Sequence, residues 1–280
     1  VRSTLIFFLV FQLIASVCAQ TISCSPQNRK AVEEKIQEIK GFSFDQAGEE
    51  LVAIGKTFIG TPYVAQTLET GTEESLVIDL EGLDCTTFVE NVLALGLIKK
   101  NSETNFDAFA KALEKIRYRD GNLDGYVSRL HYFTEWIKNN ESKGLVNDIT
   151  EWLGGTEIEK ELNFMTGHRS LYPALKDENT FQEMVNIEKG LPKNPYCVLT
   201  VEMLKENEDR VRSGDIIALA TSIEGLDVTH TGFAIRMADD RIHLLHASSS
   251  GAVEISDLPL VEYLKNIKKN TGVIVTRPVF

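Results

Sequence analysis

The stretch Gly82-Leu-Asp-Cys-Thr-Thr-Phe-Val-Glu-Asn-Val-Leu-Ala-Leu-Gly96 constrains this chain more than any other. Up to Asp84 it reads as a loop. From Cys85 it reads as a helix, because Phe88, Val89, Val92, Leu93, Leu95 and Gly96 recur at three- and four-residue spacing. A stripe that broad must be covered, so the helix is expected inside the fold. Asp84 stands at the N-cap, where its carboxylate can accept the free amides of the first turn. Cys85 is then the first helical residue, at the positive end of the helix dipole, which is expected to lower the thiol pKa and favour the thiolate. The competing reading is a cysteine that serves only as a small apolar core residue. A nucleophile also needs a base, which this stretch does not hold.

With 280 residues, the chain is long enough for one large domain or a domain with a sizeable insertion. The hydrophobic fraction of 43% and charged fraction of 25% are those of a soluble globular protein. A net charge of −12 with no long basic run argues against nucleic acid and against a direct grip on anionic lipid. Residues 1–19 read as a signal peptide: Arg2, an apolar core from Leu5 to Ile14, then Val17-Cys18-Ala19 before a cut, with Gln20 starting the mature chain. The apolar core is too short to span a bilayer comfortably, so no stable membrane span is expected after its removal. Lipidation at Cys18 is the minor alternative. The expected location is periplasmic or extracellular.

Export matters for the remaining thiols. The mature chain keeps Cys24, Cys85 and Cys197, an odd number for an oxidising compartment. If Cys85 stays free, Cys24 and Cys197 could be bridged; two unpaired buried thiols are equally consistent with the sequence.

Helical patterns run through residues 28–59, with Val32, Ile36 and Ile39 on one stripe and Leu51, Ile54 and Phe58 on another. Gly60-Thr-Pro-Tyr63 is a turn, and Leu76 to Leu80 a short strand candidate leading to Cys85. Residues 101–200 read as a mixed, mostly helical insertion, with helices over 106–116 and 132–137. Beyond Val211 the pattern changes to strands at 216–220, 230–236, 242–247 and 272–276, the second and third joined by the hairpin turn Ala238-Asp-Asp240. A helical first half followed by antiparallel strands is the α+β pattern.

Five histidines are available: His131, His168, His230, His243 and His246. The two-residue period of a strand puts His243 and His246 on opposite faces, so only one of them shares a side with His230. His246, ending its strand before Ala-Ser-Ser, is the better candidate. Cys85 as nucleophile, His230 as base and His246 as the group that orients the base would make a complete set. The oxyanion is expected near the backbone amide of Cys85 and the hydroxyl of Tyr63. Arg129, able to grip a carboxylate bidentately, and His131 are candidates to touch substrate, against the commoner reading in which such residues are solvated or make local salt bridges.

Four segments then resemble the NlpC-type, papain-like cell-wall hydrolases. They are Gly60-Thr-Pro-Tyr-Val64, Leu83-Asp-Cys-Thr-Thr-Phe88, Arg212-Ser-Gly-Asp-Ile216 and His230-Thr-Gly-Phe-Ala234, with His246-Ala247 at the place of the third catalytic residue. Thr86 replaces the serine usual after the nucleophile, Ala65-Gln-Thr67 replaces Trp-Gly-Gly, and the segment between Cys85 and His230 is longer than usual. Within that superfamily the chain looks most like the N-acetylmuramoyl-L-alanine amidase-like branch over most of residues 50–280. The resemblance implies a papain-like core in which the nucleophile helix packs on an antiparallel sheet. It also implies cleavage of the amide between muramic acid and L-Ala in a muropeptide or peptidoglycan fragment, without a metal or other cofactor. Tyr63, Asp84, Thr86, Arg129 and His131 are the candidate substrate contacts, and a monomer is expected. The alternatives are a stem-peptide endopeptidase, a zinc amidase, which lacks a His-Glu-x-x-His helix here, and a non-catalytic muropeptide-binding module.

Overall fold

Strands with apolar residues at nearly every position can only sit between two covering layers, and the C-terminal third of this chain supplies them. The computed structural model describes residues 22–69, 73–191 and 195–280. The proposed signal peptide, with Cys18, lies outside the described residues. The chain begins with β1 (Ile22–Ser23), α1 (Pro26–Ile39) and α2 (Ala47–Lys56). Next, β2 (Leu76–Val77) pairs in parallel with β1 and delivers the chain to α3 (Cys85–Lys100) and α4 (Phe106–Arg117). Then come α5 (Phe133–Ser142), β3 (Val146–Asp148), β4 (Thr156–Ile158), α6 (Phe164–Gly167), α7 (Glu178–Gly190), β5 (Tyr196–Val198) and α8 (Val201–Glu206). The chain closes with β6 (Ile216–Thr221), β7 (Val228–Arg236), β8 (Ile242–Ala247), β9 (Val253–Ile255), α9 (Leu260–Lys265) and β10 (Asn270–Pro278).

The main sheet has the order β3-β10-β6-β7-β8-β9 and is antiparallel throughout. Side-chain alternation divides it cleanly. Ile216, Ala218, Phe233, Ile235, Leu245 and Ile274 face one way and pack with α1 to α4. Ile217, Leu219, Ala234, Ile242, Leu244 and Val275 face the other way and pack with α8 and α9. This is an α+β architecture, and α3 lies in its first layer, buried from Thr87 to Ile98. The strand predicted over 76–80 stops at Val77 because side chains compete for its next amides. The Asn28 side chain takes the Leu80 amide at 2.9 Å, and the Asp79 carboxylate takes the amides of Glu81 (2.8 Å) and Gly82 (3.3 Å), turning the chain toward α3.

The stretch 101–200 stands apart less than its pattern suggests. Phe109, Leu113 and Trp136 belong to the main core, and β3 is an edge strand of the main sheet. A smaller core of its own joins Tyr132, Leu162, Leu175 and Met184. The Cys24–Cys197 bridge is not formed: both thiols are free. Cys24 sits beside Arg29 and Asp79, and Cys197 beside Asp148, Glu151 and Glu157, two different neighbourhoods. Among the described residues no helix is long and apolar enough to cross a membrane.

Candidate active site

The start of α3 is fixed by a capping box. Asp84 accepts the Thr87 amide at 2.8 Å, and the Thr87 hydroxyl accepts the Asp84 amide at 2.9 Å. Cys85 therefore opens the helix as the sequence requires, partly exposed, with its own N–H among those that have no carbonyl partner inside the helix. Its carbonyl receives the Thr231 hydroxyl of β7 at 3.0 Å. The thiol lies near the Thr231 main chain and the Thr86 and Thr231 side chains, whose hydrogen-bonding groups favour its ionised form, so the sulfur is close to the His230–Thr231 peptide.

Register and parity bring the two histidines together. His230 lies opposite Leu219, and His246 continues the face of Leu244, so both belong to the side of the sheet that α9 covers. Their rings meet with Nε2 of His230 2.6 Å from Nδ1 of His246, at centroids 4.8 Å apart and nearly perpendicular. Gly232 allows this: a Cβ there would lie 2.8 Å from the Cβ of His246 and 2.7 Å from the Leu245 carbonyl. On the far side, Tyr263 of α9 meets His246 edge to face at 5.6 Å. His243 lies across from Ile235 on the opposite face, where it bonds the Ser256 carbonyl (2.8 Å) and Asp239 (3.1 Å).

Electrostatics correct one expectation. Burial, and then the Asp84 charge, push the Cys85 thiol up to about 11, against the weaker pull of its hydrogen bonds. The helix terminus does not outweigh desolvation here. Burial also pulls His230 down to about 3, helped by His246, and His246 down to about 4, opposed by Glu254. At neutral pH the resting groups are thus a thiol and two neutral imidazoles. The Tyr63 phenol is raised by burial and then by the charges of Cys85 and Asp84.

A cavity of about 270 Å³ opens next to this junction, lined by Gln66, Glu69, Asp84, Thr86, Arg129, His131 and Tyr172 among others. Four of the residues singled out in the sequence therefore line one space: Asp84, Thr86, Arg129 and His131. Arg129, however, is not a free clamp. It is 5% exposed, holds Glu69 at 2.6 Å and Glu74 at 3.4 Å, and lies over the Tyr126 ring at 4.9 Å. His131 lies tilted against the Tyr126 ring at 4.6 Å between centroids and bonds its carbonyl at 2.9 Å, and burial followed by the Arg129 charge holds it well below its ordinary pKa. Behind them Arg117 pairs with Glu90 at 2.7 Å, both side chains fully buried. A larger surface groove of about 650 Å³ between α1 and the start of α4, lined by Lys30, Glu33, Glu34 and Phe106, carries no comparable chemistry. Sequence reasoning missed Thr231, Glu69, Tyr172 and Tyr263. Only Thr231 carried a signal, since it neighbours His230 and its parity points it at the helix layer.

Residues 53–273 match the family described as N-acetylmuramoyl-L-alanine amidase-like. A crystal structure of an N-acetylmuramoyl-L-alanine amidase from Bacteroides uniformis is 40% identical, covers 84% of this chain and all of that one, and superimposes with a TM-score of 0.79. A Bacteroides fragilis protein provisionally named a xylanase is 41% identical, with 80% of this chain and 98% of that one covered and a TM-score of 0.74. A Legionella pneumophila protein shares the fold at 20% identity, covering 91% of this chain and 95% of that one with a TM-score of 0.69. No curated protein matches the chain.

Proposed function

The chain belongs to the N-acetylmuramoyl-L-alanine amidase-like family, and from that premise we propose that it is a cysteine hydrolase of peptidoglycan fragments. It cleaves the amide between N-acetylmuramic acid and L-Ala. One observation carries the cysteine mechanism: the Cys85 sulfur is close to the His230–Thr231 peptide while the His230 ring is held by His246 at 2.6 Å. Its resemblance to the papain-like, NlpC-type hydrolases supports the same assignment of roles. An exported protein, acting in the periplasm or outside the cell, fits a cell-wall substrate.

Nδ1 of His230, the ring nitrogen not bonded to His246, takes the thiol proton as the sulfur attacks the lactyl carbonyl. The tetrahedral oxyanion is stabilised by the Cys85 amide and the Tyr63 hydroxyl. Collapse breaks the C–N bond, and the proton on His230 goes to the departing L-Ala amine. Water then attacks the thioester, gives a proton to His230, and releases the sugar carboxylate and the restored thiol. With a thiol raised to about 11 and an imidazole lowered to about 3, the proton moves during attack and not in the resting enzyme. Asp84 and Thr86 border the cavity that would receive substrate.

The test is mass spectrometry of a soluble muropeptide mixture after incubation with wild type and with Cys85→Ser. Free stem peptide plus bare sugar, absent with the variant, supports the amidase. Sugar retaining L-Ala-D-Glu would indicate the stem endopeptidase, and equal cleavage by both proteins would remove Cys85 from the chemistry. Alkylation should abolish turnover and a chelator should leave it intact; the reverse would point to a zinc enzyme.

A further inference from the structure

His246 has a loose end. Its Nδ1 meets His230, but its Nε2 is buried without a hydrogen-bond partner among the described residues, in a residue 1% exposed. The roles proposed for the site fix the tautomer. If His230 accepts the thiol proton on Nδ1, its own N–H is on Nε2 and donates to Nδ1 of His246. The proton of His246 must then be on Nε2, so the unpartnered atom is a donor. It becomes a stronger donor when His230 turns into an imidazolium. An orphaned buried donor is costly, and an anion near it would be favoured.

One carboxylate is placed for that. Glu254 of β9 is the register partner of His246, so the two side chains stand on the same sheet face. Among the described residues its carboxylate has a single hydrogen bond, a long one from the Ser250 hydroxyl at 3.3 Å. The other groups facing His246 are His230 from β7 and Tyr263 from α9. Cys85 and Asp84, at the start of α3, lie beyond them and act on Tyr63 and, for Cys85, on Tyr263. Glu254 is the one attractive charge on His246 in this set.

We infer that Glu254 is a positioning residue, acting through the Nε2–H of His246 to hold the histidine pair in one tautomer and to stabilise the imidazolium that forms on His230 during attack. The inference rests on the cysteine mechanism proposed above. It adds a fourth member to the Cys85, His230 and His246 set, on a strand edge that the motif resemblance does not reach. Tyr263 then acts as the wall that keeps the His246 ring in plane and dry.

The test uses iodoacetamide and the intact protein. The rate of Cys85 alkylation is followed against pH by mass spectrometry of the peptide that contains it. Glu254→Gln keeps the shape and removes the charge. The alkylation rate at neutral pH is expected to fall about threefold, the scale of an exposed charge interaction. The acid limb of the profile should move to lower pH, and Glu254→Asp should restore both. A merely structural role would not move the limb. Superimposable profiles for wild type and Glu254→Gln would overturn the inference. So would a loss that Tyr263→Phe and Glu254→Asp reproduce equally, since packing alone would then explain it. Because alkylation needs no muropeptide, a failure of the amidase assignment leaves this reading testable, and a silent Glu254 leaves the amidase standing.

Discussion

Two neighbouring regions handle polar groups in opposite ways. At the junction of α3, β7 and β8, burial neutralises Cys85, His230 and His246, and among the described residues none of them forms a salt bridge. On the cavity wall a few residues away, charge is kept and paired: Arg129 with Glu69 and Glu74, Arg117 with Glu90. The first arrangement leaves protons free to move when a substrate arrives. The second locks its groups in place and gives the cavity walls that do not reorganise. Neutral and free of salt bridges marks the groups proposed to react, and charged and paired marks the frame beside them.

The comparison predicts different failures. Cys85→Ser and His230→Ala should each cut turnover on muropeptide by about 10⁴-fold or more while leaving thermal unfolding close to wild type. A folded His230→Ala enzyme near wild-type rate would break the assignment. On the other side, Arg129→Met strands Glu69 and Glu74 in a buried place and should cost about 3–5 kcal/mol in urea unfolding. A variant of unchanged stability with a raised KM would instead return Arg129 to the role of substrate clamp. His246→Ala should lower kcat by about tenfold to a hundredfold with KM nearly intact, because an orienting group contributes less than the proton acceptor itself. Loss equal to that of His230→Ala would contradict this ranking.

The smallest effect is on stability against pH. His230 and His246 titrate near 6.5 in the unfolded chain and at about 3 and about 4 in the fold. Their folded values are depressed, so the unfolded chain binds their protons first. Their stabilising contribution is whole above the unfolded value and is lost as pH falls through the folded ones. The raised carboxyls Glu74 and Glu90 work the other way, since the fold binds their protons more readily than the unfolded chain does. The urea midpoint should therefore drop below pH 6.5 for the histidines' reason, and a His230→Gln, His246→Gln double variant should show a shallower drop.

The legible parts of this protein were those governed by local rules. The Asp84 cap, the helix from Cys85, the hairpin of β7 and β8, and the face shared by His230 and His246 all follow from capping chemistry and from fixed periods of 3.6 and 2. The reach of the strand after Leu76 was missed because Asn28, from a distant helix, competes for its amide. The ion pairing of Arg129 was not legible for a similar reason: its partners Glu69 and Glu74 lie about sixty residues earlier in the chain. The thiol pKa was misread because a dipole can be counted along one helix, while desolvation depends on everything packed around it.

The sequence by itself singled out Cys85, His230 and His246 as candidates and determined which way each faces along its own element. The tertiary structure decided what each one meets. Burial and charge pairing are sums over neighbours far apart in the chain, so only the folded molecule made Cys85 a neutral thiol, paired Arg129 with Glu69 and Glu74, and left Nε2 of His246 buried without a partner among the described residues.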